Sequence, residues 1–78
     1  MLPNLIPTHA NAEQLEDAAF GFMLDADGYA LGRILKNAQG IVCLDIGQMT
    51  NSTAYAALVA IQDFVSPRVF AAYAAELR

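Results

Sequence analysis

The stretch Tyr29-Ala30-Leu31-Gly32-Arg33-Ile34-Leu35-Lys36-Asn37-Ala38-Gln39-Gly40-Ile41-Val42-Cys43-Leu44-Asp45-Ile46 decides the fold. Residues 41–46 form a short run of apolar and β-branched side chains and read as a strand. The residues before them fit two structures. Leu31, Ile34, Leu35 and Ala38 share one face of a helix from Asp27 to Gly40, with Lys36 in its last turn and Gly40 as C-cap. Tyr29, Leu31 and Leu35, with Arg33 between, also suit a strand, and Lys36 to Gly40 then becomes a hairpin loop. Backbone hydrogen bonding favours the strand. A lone strand at 41–46 leaves N–H and C=O groups without partners, and the local segments able to supply them are 19–25 and 29–35. The expected class is therefore α+β: an N-terminal helix, a short three-stranded antiparallel meander and two C-terminal helices. The alternative is an all-α small helical bundle with one extended segment. Gly21 and Gly32 weaken either regular element.

Upstream, Asp25-Ala26-Asp27-Gly28 is a turn signal, because Asp bonds its own backbone and Gly accepts positive φ. Asn11 is a good N-cap, and Gln14 three residues on completes a capping box. Leu15, Ala18, Ala19, Phe22 and Met23 then form one apolar helical stripe. Glu13, Glu16 and Asp17 lie in the first turns, where the helix dipole favours negative charge. The far end of that helix is open, since Ala18, Phe20, Phe22 and Leu24 also alternate as a strand would. Residues 1–10 hold Pro3 and Pro7 without periodicity and read as an extended arm, with Leu2, Leu5 and Ile6 apolar enough to dock. Residues 11–78 are expected to form a single compact domain.

Downstream, Thr50, Asn51 and Ser52 offer N-caps for a helix running to about Val65. The eight consecutive apolar residues Ala54 to Ile61 make it apolar all round, so it is expected to be buried on more than one side. Ser66-Pro67 begins a second helix with Ser as cap and Pro at the first helical position. Its stripe is Val69, Phe70, Tyr73, Ala74 and Leu77. Alanines on both helices allow close approach, which suggests a tight helix pair.

The chain has 78 residues, and this length accommodates one domain. A single cysteine excludes an internal disulfide framework, and one His argues against a structural zinc site. Four Lys and Arg against eight Asp and Glu oppose a nucleic-acid footprint. With 56% apolar residues the chain is too hydrophobic for a disordered acidic tail, yet no run approaches the roughly 20 residues of a membrane span. The first residues carry no basic charge and no long apolar stretch, so no targeting signal is expected and the expected compartment is the cytoplasm. The acidity is uneven: Glu13, Glu16, Asp17, Asp25 and Asp27 precede residue 28, and no Lys or Arg does.

Motifs that would carry catalysis are absent from the sequence. Aligned on Gly28, the EF-hand pattern places Met23 and Ile34 where the loop needs carboxylates. Cys43 sits in an apolar run and reads as a small buried hydrophobe, and His9 lies in the arm and reads as solvated. Neither a phosphate loop nor a nucleophile elbow is present. Residues 52–64 hold no Lys or Arg and cannot serve as a DNA recognition helix.

These readings lead to a non-enzymatic protein-binding module — an adaptor, chaperone or inhibitor — with no catalytic residues, cofactor or metal. The acidic face Glu13, Glu16, Asp17, Asp25 and Asp27 would meet a protein partner with a basic surface. Leu58, Phe64, Val65, Phe70 and Tyr73 would form an apolar interface, used for self-association as a dimer. Direct nucleic-acid binding and membrane contact are not expected. The alternative is a phage-type inhibitor that blocks a nucleic-acid-binding groove by acidic mimicry.

Overall fold

The computed structural model describes the backbone of residues 2–23 and 33–78, and their side chains except those of 19–23. In chain order the elements are β1 (Leu5–Pro7), α1 (Ala12–Met23), β2 (Arg33–Lys36), β3 (Val42–Asp45), α2 (Asn51–Ala60), a 3-10 turn (Gln62–Phe64) and α3 (Pro67–Leu77). Among the described residues, three strands and three helices give an α+β fold with an open antiparallel sheet.

The ambiguous stretch resolves as a hairpin. β2 and β3 pair antiparallel with Arg33 opposite Asp45 and Lys36 opposite Val42. Asn37 closes the turn: its N–H donates to Ile41 O, its carbonyl accepts from Gly40 N, and its Oδ1 accepts from Gln39 N and Ile41 N. Gly40 takes φ +80, a left-handed conformation that strains any residue with a Cβ. In the helical alternative Gly40 would have been a C-cap. Here the same property serves the hairpin.

The third strand is not the one its neighbours in sequence suggested. Residues 19–23 belong to α1, and the partner for β3 comes from the N-terminal arm: Leu5 lies opposite Asp45 and Pro7 opposite Cys43. The sheet order is β1-β3-β2, so the expected connectivity of neighbouring strands is replaced by one in which α1 crosses between the two edges. A strand containing proline can hold an edge, because an edge residue need not donate on its outer side. Tyr29 and Leu31, read as part of the strand that includes Arg33, lie outside the described residues, as does the Asp25–Gly28 turn.

The helices begin where their caps predict. Asn11 and Gln14 exchange the reciprocal bonds of a capping box, Gln14 N to Asn11 Oδ1 at 2.8 Å and Asn11 N to Gln14 Oε1 at 3.1 Å. Thr50 Oγ1 accepts from Thr53 N at the start of α2, and Ser66 Oγ accepts from Val69 N at the start of α3. α2 stops at Ala60, short of the expected Val65. The residue before a proline is pushed out of the helical region, and Ser66 is extended with ψ 151, so α2 cannot continue into α3. The 3-10 turn and an extended Val65 make that change of direction.

Ile6, Leu15, Leu44, Leu58 and Ile61 have no exposed surface and form the centre of the core, with Ala54 and Ala57 letting α2 sit close to its neighbours. Each fully buried aliphatic side chain stabilises the fold by about 1.5–3 kcal/mol. α2 packs against both α1 and α3, which explains why its sequence is apolar on every side. Ile6, Leu44 and Ile34 form one cross-strand row on the sheet face that joins this core. Pro7, Cys43 and Leu35 form the adjacent row on the opposite face.

Candidate functional site

α1 separates its two roles by periodicity. Leu15 points into the core, while Glu13, Glu16 and Asp17 are exposed. Glu13 stands in the first turn, where the unpaired backbone N–H groups favour a negative charge. The helix is anchored by its capping box and by Leu15, so it presents a carboxylate cluster on a fixed surface. Asp25 and Asp27, assigned to the same face by sequence, lie outside the described residues.

The expected apolar interface is largely interior. Leu58, Val65 and Tyr73 are buried members of the core and cannot meet a partner in this fold, whereas Phe64 and Phe70 are half-buried and pack against it. Sequence could not separate these cases, because an apolar stripe looks the same whether another helix or a partner covers it. Tyr73 instead ties α3 to β1, its hydroxyl donating to the carbonyls of Pro3 and Leu5, seventy and sixty-eight residues away in the chain. Burial pushes the Tyr73 hydroxyl above its usual pKa, and the nearby Cys43 adds to the shift, so it remains a donor.

Cys43 is buried on the far side of the sheet, and its thiol donates to Ile41 O at 3.4 Å. Burial raises its pKa, although the Asn37 backbone bond works against the shift, and the thiol stays protonated at neutral pH. His9 is exposed and meets Phe64 edge-on, with ring centres 6.0 Å apart. Arg78 crosses from the end of α3 to α2, donating to the Tyr55 hydroxyl at 3.0 Å and lying over its ring. Among the described residues no group of three or more His, Cys, Asp or Glu could hold a metal ion. No helix of the described residues is long and apolar enough to cross a membrane.

One feature was missed by sequence reasoning. Two of the four Lys and Arg residues, Arg33 and Lys36, stand at the ends of the edge strand β2, and both are exposed. The signal that could have found them is the R-x-x-K spacing within a short strand, once the stretch is read as a hairpin. Comparison with protein-family models, with curated proteins and with solved structures finds no match for this chain.

Proposed function

We propose that this chain is a small non-enzymatic protein-binding module, an adaptor, chaperone or inhibitor, that engages a basic surface of a protein partner through the outer face of α1. The observation carrying this reading is the exposed cluster Glu13, Glu16 and Asp17 on a helix whose opposite side is fixed by buried Leu15. Like charges held on a rigid face repel one another, and an opposite surface relieves that repulsion while steering the encounter. Self-association forms part of the reading, carried by half-buried Phe64 and Phe70 rather than by Leu58, Val65 and Tyr73. The cytoplasm is the proposed compartment.

The test isolates a bound protein from the native source and measures its affinity for the wild-type chain and for E13K/E16K/D17K. Weakening of about tenfold or more, with the melting temperature little changed, supports the reading. A second variant, E13Q/E16Q/D17N, removes charge without opposing the helix dipole and should weaken binding less. Unchanged affinity in both would leave the acidity as a solubility device and overturn the proposal. Steep loss of binding with salt is expected for a charged interface, and a salt-insensitive complex would transfer the contact to apolar surface.

A further inference from the structure

The sheet has two edges, and they are finished differently. Thr8 N–H donates to Val42 O at 3.0 Å, so the antiparallel alternation turns the backbone groups of Leu5 and Pro7 away from β3. Part of that outer side of β1 is taken up. Leu5 O accepts the Tyr73 hydroxyl, Pro7 has no N–H, and His9 N–H donates to Phe64 O at 2.8 Å. On the other side Asn37 N–H donates to Ile41 O at 2.9 Å, which sets the phase of β2. Arg33 and Leu35 bond inward to β3, and the N–H and C=O groups of Ile34 and Lys36 face outward. Among the described residues no backbone group pairs with them.

The charges on β2 select what can fill this edge. Arg33 and Lys36 are exposed at its two ends and, by strand alternation, stand on opposite faces. A second copy paired along the same edge would bring four cations to one short seam, and cations on edge strands are a recognised defence against such pairing. An acidic strand meets the same cations as complementary charges. We infer that β2 is a docking edge for an extended acidic segment of another protein, which adds a fourth strand to the sheet. Backbone bonds to Ile34 and Lys36 supply the affinity, and Arg33 and Lys36 supply the selection. This surface is separate from the α1 face and takes a partner segment of opposite charge, so the inference stands independently of the proposed function.

The experiment adds a short end-blocked peptide of alternating Glu and Val, or its Lys–Val counterpart, to the full chain and follows amide exchange by NMR. The Glu–Val peptide should slow exchange at Ile34 and Lys36 while leaving the already bonded Leu35 amide unchanged. R33E/K36E should bind that peptide about tenfold more weakly and gain affinity for the Lys–Val peptide. K36P, which deletes one outward N–H as Pro7 does on β1, should bind more weakly than K36Q, which deletes only the charge. Unchanged exchange at roughly millimolar peptide overturns the inference. So does an equal response to both peptides. Ile34 and Lys36 amides that are protected in dilute protein before any peptide is added would overturn it by showing the edge already filled by the chain itself. Protection growing with protein concentration alone would overturn it in favour of a second copy.

Discussion

β1 and β2 flank the same central strand, but they are held there by different kinds of contact. β1 reaches β3 across a long stretch of chain, with the Thr8 hydroxyl and N–H both bonded to Val42 O over a separation of thirty-four residues. Its Ile6 has no exposed surface, and its outer side is tied to α3 through Tyr73. β2 reaches β3 through a tight turn closed by Asn37 and Gly40, and its Ile34 and Leu35 are only half-buried. A long-range pairing must overcome a larger loop-closure entropy, so it persists only when side-chain burial supports it. A hairpin closes at lower entropic cost and needs less side-chain burial to hold it. The shorter, proline-bearing strand is therefore the more deeply integrated one.

The sharpest way to break this comparison is to truncate one side chain on each edge. Ile6→Ala should cost about 2–5 kcal/mol and Ile34→Ala about 1–2 kcal/mol in urea unfolding, because only the first empties a fully buried site. Equal costs would remove the distinction. Tyr73→Phe leaves two carbonyls of the N-terminal arm without their donor and should cost about 1–3 kcal/mol. Amide exchange should quicken along β1 and stay unchanged along β2. If both strands loosen together, the two edges form one cooperative unit.

Gly40→Ala tests the local side. A Cβ at φ +80 meets no neighbouring atom within 4 Å, so its cost is backbone strain alone, about 1–2 kcal/mol. The hairpin amides should exchange faster before those of β1 do. The smallest effect concerns pH. Cys43 and Tyr73 both have pKa values raised by burial above their ordinary 9.0 and 10.0, so the folded chain holds these protons more tightly than the unfolded chain does. Their contribution is fully present below those ordinary values and is lost as pH rises through the raised ones. Stability should therefore decline above about pH 9, and Cys43→Ala combined with Tyr73→Phe should flatten that decline. An unchanged alkaline slope in the double variant would place its origin elsewhere.

Much of the local structure was legible in the sequence because it depends on near neighbours. Asn11 with Gln14 and Ser66 with Pro67 announce two helix starts, and each cap forms as expected. The apolar run 54–61 correctly implied a helix covered on several sides. The acidic face of α1 was legible for the same reason, since helical spacing alone places Glu13, Glu16 and Asp17 away from Leu15. The apolar interface was not. Leu58, Val65 and Tyr73 carry no local mark to tell a core contact from a partner contact.

By itself the sequence determined where α1 and α3 begin and which helix face carries the charge, and it left Lys36 to Gly40 open between a hairpin loop and a helix end. Caps and periodicity act within a few residues of one another, so their outcome needs no distant partner. Only the tertiary structure decided that Leu5–Pro7 is a strand, that Tyr73 bonds to its outer side, and that two exposed cations stand at the ends of β2. A three-residue segment ending in proline has no intrinsic reason to be a strand. It becomes one because β3 offers unpaired backbone groups on one side and the helices offer a buried site for Ile6.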